Sequence, residues 1–202
     1  MASTFKIVPS SGNLSAERFK VYTQRNLHKL PHISSLSKQQ QFEIQVVANV
    51  LPFRVNQYVA ENLIDWSKVP DDPMFRLVFP QREMLEENDY GIMSEALKKG
   101  KSKPELEKQA RIIRAKLNPN PADQMELNLA ELDGKTLEGV QHKYPETVLF
   151  FPARGQVCHS YCTFCFRWPQ FVGDRALRFA STSPSTLTRY LIQQPQVSDV
   201  LI

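Results

Sequence analysis

The three cysteines of this 202-residue chain, Cys158, Cys162 and Cys165, fall within eight consecutive positions. Thiolates are soft ligands that select iron–sulfur clusters, zinc or copper(I). An odd count at so tight a spacing does not make a disulfide framework, so metal or redox chemistry is the expected use. The spacing is C-x3-C-x2-C. It differs from the C-x2-C-x2-C run of bacterial ferredoxins and supplies three thiolates where a cubane has four irons. One iron would stay free for an exogenous ligand, and an open position serves catalysis rather than electron storage. The competing reading is a structural zinc site in an interaction or nucleic-acid module, with His159 or His142 as fourth ligand. It lacks the second ligand cluster, roughly a dozen residues away, that zinc modules usually carry.

Thiols used in this way need a rigid base. Thr147 to Phe151, TVLFF, is a β-branched and aromatic run with Pro145 before it and Pro152 after it. Such a run reads as a strand buried on both faces. The cysteines follow in a loop containing Gly155, and a helix is expected from about Ser185 to Gln194, then a strand from Val197 to Ile202. Strand, loop, helix, strand is a βαβ unit, with Thr147–Phe151 as the first parallel strand. One such unit cannot cover both faces of its sheet, and the sequence stops inside the second strand. The expectation is therefore a truncated chain whose remaining strands follow Ile202.

Upstream, residues 1–135 are expected to form a mostly helical region, and 136–202 the α/β unit with the cysteines. Ser15 is placed to cap a helix running toward His28 with Phe19, Tyr22 and Leu27 on its apolar face. Ser37 and Gln40 make a capping box for a helix from Lys38 to Leu51, where Pro52 interrupts it. Another helix is expected over Val55 to Ile64. The proline-bounded stretch from Val69 to Pro80 reads as an extended connector. Lys103 to Leu117 is helical, with Leu106, Ala110, Ile113 and Leu117 along one face and Pro104 in its first turn. Leu127, Leu129 and Leu132 then precede a turn at Asp133-Gly134 and a short polar segment to Tyr144.

Composition excludes several classes. Apolar residues make up 42% of the chain, enough for a core. No apolar run of about 18 residues or secretory leader is present, so no membrane span is expected and the cytoplasm is the expected location. The first thirty or so residues, with Glu17 as their only acid, also loosely resemble an organelle transit peptide. The formal charge of +4 is spread thinly outside Lys98-Lys99-Gly100-Lys101-Ser102-Lys103, which reads as a solvated loop. A nucleic-acid binder would show a denser basic stripe with interleaved aromatics, so no nucleic-acid partner is expected.

With Phe164 just before the last cysteine, the motif resembles the signature of the radical S-adenosylmethionine (SAM) superfamily. That resemblance implies a [4Fe-4S] cluster on Cys158, Cys162 and Cys165, with SAM on the unique iron and Phe164 near its adenine. The implied fold is a partial (β/α)6 barrel with the motif after its first strand, and barrel enzymes do their chemistry at strand C-terminal ends. Closer similarity is to the lysine 2,3-aminomutase family, on His142-Lys143-Tyr144-Pro145-Glu146-Thr147-Val148-Leu149, Tyr161-Cys162 and Cys165-Phe166-Arg167. The segment Asp72-Pro73-Met74-Phe75-Arg76 through Phe79-Pro80 also looks like part of that family's helical region.

The family resemblance implies amino-group migration on an amino acid bound to pyridoxal phosphate (PLP), an isomerase reaction. It implies an amino-acid substrate, an electron donor such as flavodoxin or ferredoxin, and is compatible with a homo-oligomer. Arg167 matches an arginine that holds the substrate carboxylate, a task suited to a rigid bidentate fork. Lys143 and Thr147 stand where the family has arginines thought to help hold the PLP phosphate, leaving Lys143 as the phosphate contact. The loop residues Phe151 to Gln156 and Phe166 to Phe171 differ from those of the lysine enzymes. An enzyme of the same family with another amino-acid substrate, or without PLP, is therefore the alternative. The glycine-rich SAM turn and a PLP lysine are expected beyond Ile202, so this fragment alone should be inactive. Read as residues, His142, Tyr144, Trp168 and Phe171 suit packing or hydrogen bonding, and Arg154 suits tuning of a cluster's potential.

Overall fold

A computed structural model of the chain describes residues 20–118, 120, 123, 125–154, 157–158, 160–162, 165 and 167–202. In chain order its elements are β1 (Val21–Thr23), α1 (Lys38–Val50), β2 (Arg54–Asn56), α2 (Gln57–Asn62), α3 (Pro73–Val78), α4 (Glu87–Lys98) and α5 (Lys103–Lys116). There follow β3 (Leu129–Leu132), β4 (Lys135–Tyr144), β5 (Thr147–Phe150), α6 (Pro184–Ile192) and β6 (Asp199–Leu201), with short 3₁₀ helices between some of them.

Local chemistry starts the long helices. Gln40 N–H donates to Ser37 Oγ at 3.1 Å, and Ser37 N–H donates to the Gln40 side chain at 2.8 Å. Two amides left orphaned by the start of α1 are thereby satisfied. Ser102 and Glu105 repeat the arrangement at α5, which carries Pro104 in its first turn as expected. Val46, Val47 and Val50 of α1 pack with Met93 of α4 and with Ala110 and Ile113 of α5, all fully buried. Arg114 of α5 is buried against the last turn of α1: its Nε donates to Val50 O at 2.7 Å, and its Nη1 meets Glu107 at 2.8 Å.

Three upstream expectations change where long-range pairing or capping overrides local pattern. Tyr22 lies in β1 rather than in a helix, because β1 pairs antiparallel with β2 and sets Tyr22 opposite Val55, burying both. Ser15 and Phe19 lie outside the described residues. Val55 is likewise a strand residue, and the helix begins at Gln57 with Asn56 accepting the Val59 N–H at 2.8 Å. The proline-bounded stretch is not an extended connector throughout, since it contains α3. Asp72 accepts the Phe75 N–H at 2.7 Å, and Pro73 occupies the first turn, where a missing N–H costs nothing. Phe75 and Phe79 then stack at 4.5 Å in a core shared with Phe53 and Trp66.

The second sheet is mixed, with strand order β3-β4-β5-β6. Pairs β3/β4 and β4/β5 are antiparallel and β5/β6 is parallel, so the expected βαβ unit is present as β5-α6-β6. Strand β4 replaces the short polar segment read between Lys135 and Tyr144. Its alternation is broken at Gly139 (φ +73°), between buried Leu137 and Val140, which hides it from a period-two reading. Because β3 precedes position 135 and pairs with β4 after it, the sheet begins at Leu129. Tyr190 of α6 packs with Leu132, Val140, Val148 and Phe150 on one face of this sheet.

Candidate functional site

The cysteine segment leaves the C-terminal end of β5 and returns before α6, and backbone bonds close its base. Ser181 N–H donates to Phe151 O at 2.8 Å, and Ala153 N–H donates to Ser181 O at 2.6 Å. Together they form a parallel bridge between Pro152 and Ser181 that prolongs the sheet past β5. Arg178 adds a side-chain bond to Ala153 O. Gly139 makes this closure sterically feasible: a Cβ there would lie 2.2 Å from Ser181 N and 2.7 Å from the Ala180 carbonyl carbon. Its O also accepts the Phe151 N–H at 2.8 Å. A glycine inside a strand marks such a close approach of backbones.

Two further contacts tie the segment to the helical region. Tyr161 N–H donates to Leu77 O of α3 at 2.7 Å, and its hydroxyl donates to Pro52 O just beyond α1. Burial pushes the Tyr161 hydroxyl well above its ordinary value, and negative charge on Cys158 adds to the shift. Farther along, buried Asp174 meets Arg111 of α5 at 3.5 Å.

Within this frame Cys158 and Cys165 are half-buried and Cys162 is exposed. Ser160 N–H donates to Cys158 Sγ at 3.4 Å, and Cys165 N–H donates to Cys162 O at 3.1 Å. As placed, no three His, Cys, Asp or Glu side chains among the described residues form a metal-holding group. The donor chemistry of the segment nevertheless suits a cluster. Three soft thiols share one loop at a strand end, and between Phe151 and Asp174 the formally charged residues are Arg154 and Arg167, without a carboxylate.

The remaining candidates divide between the two ends of β5. Arg167 lies on the cysteine side, its guanidinium 4.8 Å from the centroid of the Phe151 ring, and Trp168 and Phe171 are half-buried beside it in sequence. Arg154 is exposed. Phe164 and His159 lie outside the described residues. Lys143 is exposed at the other end, against the Tyr144 ring, where Tyr144 pairs with Thr147. The strand separates those ends by about 10 Å at the usual rise per residue, so Lys143 and the cysteines are not brought together. His142 sits at that far end too. Its Nε2 donates to Pro145 O at 3.1 Å, which leaves Nδ1 to accept from the Tyr190 hydroxyl. A zinc set combining His142 with the thiols is thus not assembled.

Sequence reasoning missed Gly139, the outward bonds of Tyr161 and the Asp174–Arg111 pair. A lone glycine in a polar run was the available signal for the first. The other two contacts join residues far apart in sequence and left none.

No family model matches the chain, and no solved structure matches it. Among curated proteins it is similar to one from Aquifex aeolicus (strain VF5) named "Putative L-lysine 2,3-aminomutase". Identity is 26% over 174 residues, covering 86% of this chain and 35% of that relative. The chain spans about a third of the length of the relative it resembles, and the similarity takes in both the helical region and the cysteine segment.

Proposed function

We propose that this chain carries the cluster-binding part of a radical SAM enzyme of the aminomutase kind. The observation that carries the reading is the C-x3-C-x2-C segment rising from the C-terminal end of β5 within a βαβ unit, supported by the likeness to the aminomutase-named relative. Cys158, Cys162 and Cys165 are the residues that would hold a [4Fe-4S] cluster, with its fourth iron left to SAM. When bound, that pair supplies one-electron reductive cleavage of SAM and so a carbon-centred radical.

The chain's own residues do the positioning. The Phe151–Ser181 bridge closes the loop base, and the parallel unit β5-α6-β6 is the kind of repeat from which a partial (β/α)6 barrel is built. Arg167, its planar group over Phe151, offers a fork for a substrate carboxylate on the cysteine side of the strand. Lys143 and Thr147 supply one cation and one hydroxyl at the opposite end. That set does not make a phosphate cradle, so no step is assigned to PLP. This placement favours, as a second reading, a radical SAM enzyme of the same kind that acts on another amino acid or without PLP.

The test is anaerobic reconstitution of the native full-length protein with iron and sulfide. Broad absorption near about 400 nm, and an EPR signal on reduction that changes when SAM is added, would support the reading. Stoichiometric zinc with no iron uptake would overturn it.

A further inference from the structure

Tyr161 stands between two of the thiols in sequence, yet both of its donors point out of the loop. Its N–H reaches Leu77 O, in the last turn of α3, and its hydroxyl reaches Pro52 O, 109 positions away. The last carbonyls of a helix have no partner within it, so α3 leaves Leu77 O available to a donor. The N–H bond would survive any substitution at position 161 except proline. The hydroxyl bond would not: phenylalanine can fill the same space but leaves Pro52 O without this donor.

The bonding also bears on the thiols directly. Cys162 is the next residue in the chain, and Cys158 lies three positions before Tyr161 with its Sγ accepting the Ser160 N–H at 3.4 Å. Anchoring Tyr161 at two points therefore restricts the backbone from Cys158 to Cys162. Restricting a ligand-bearing segment before its metal group binds removes ordering cost from the binding step.

Resting on the cysteine reading above, we infer that Tyr161 is a positioning residue for the cluster. Through its hydroxyl on Pro52 O, the helical region holds the Cys158–Cys162 span in place, and residues 52 and 77 of that region belong functionally to the metal site.

The experiment compares the wild-type protein with Tyr161→Phe, and with Tyr144→Phe as a hydroxyl deletion at the exposed far end of the sheet. After anaerobic reconstitution, each is mixed with an iron chelator, and loss of the cluster absorbance is followed in time. The reduced EPR line shape and the melting temperature of the metal-free protein are recorded beside it. Loss of one buried hydrogen bond corresponds to cluster release about 5- to 10-fold faster. That acceleration is expected in Tyr161→Phe alone, with an altered EPR line shape and a metal-free melting temperature lowered only by the few degrees that one lost hydrogen bond costs. Release at the wild-type rate would overturn the inference. So would a fall in the metal-free melting temperature with the EPR line shape unchanged, since Tyr161 would then serve the fold and not the cluster. A wild-type protein that takes up no iron would sink the cysteine reading before any variant is needed, which separates the two failures.

Discussion

Gly139→Ala tests how the base of the cysteine segment is closed. Gly139 and Gly134 both have left-handed backbones, at φ +73° and +72°. An added Cβ meets nothing within 4 Å at Gly134, whereas at Gly139 it falls 2.2 Å from Ser181 N. The conformational cost of alanine is shared and amounts to about 1–2 kcal/mol. Only at Gly139 must the Ala180–Ser181 backbone also move. That movement breaks the bonds between Ser181 N–H and Phe151 O at 2.8 Å and between Ala153 N–H and Ser181 O at 2.6 Å. Each is worth about 1 kcal/mol net. Gly139→Ala should thus cost about 3–4 kcal/mol and Gly134→Ala about 1–2 kcal/mol. Urea unfolding of the metal-free protein, followed by circular dichroism, measures the difference. Equal costs for the two variants would refute the argument that Gly139 exists to admit the returning strand.

Three other outcomes follow from single side chains. Arg114→Met leaves the Val50 and Asn49 carbonyls at the end of α1 without their 2.7 and 3.2 Å donors and removes the closer of the two arginines beside Glu107, and should cost about 2–3 kcal/mol; chemical denaturation showing under 1 kcal/mol would contradict this. Asp72→Ala removes the acceptor of the Phe75 and Asp65 amides, at 2.7 and 3.2 Å, and should cost about 2 kcal/mol in the same assay. Glu105 accepts hydrogen bonds from Lys101 and Ser102, which hold its carboxyl down to about 2 from an ordinary 4.5. A depressed value stabilises the fold above the ordinary pKa and loses that effect as pH falls through the folded one. The melting-temperature gap between wild type and Glu105→Gln should therefore be full at pH 6 and shrink from pH 4.5 toward 2; a gap that widens on acidification would reverse the sign.

Much of this architecture was legible because local chemistry and tertiary structure agree in it. Ser37 with Gln40, and Ser102 with Glu105 and Pro104, carry their helix starts in their side chains. Thr147 to Phe150 could be read as a strand from its β-branched and aromatic run, and it lies between β4 and β6; Val148 and Phe150 are buried while Thr147 and Leu149 are half-buried, so one face is covered and the other only in part, not both as expected. The illegible parts are those decided at a distance. Tyr22 and Val55 have local strand propensity, but in strands only three residues long it does not outweigh the helical spacing read there, and their antiparallel pairing decides it. Pro73, read as a breaker, is a helix starter because Asp72 precedes it. Strand β4 was hidden because Gly139 shifts its alternation to admit Ser181, a residue more than forty positions downstream. In the cysteine segment the three cysteines and their spacing were plain from sequence, while the anchoring of Tyr161 on Pro52 and Leu77 required the fold.

Iron and acid-labile sulfide counts per chain, taken after anaerobic reconstitution of wild type and of Cys158→Ala, Cys162→Ala and Cys165→Ala, bear most directly on the central claim. A cubane held by three thiolates predicts roughly four irons and four sulfides in the wild type, with each single variant losing most of both. A variant that keeps its full iron, or a wild type that binds one zinc in place of iron, would contradict it.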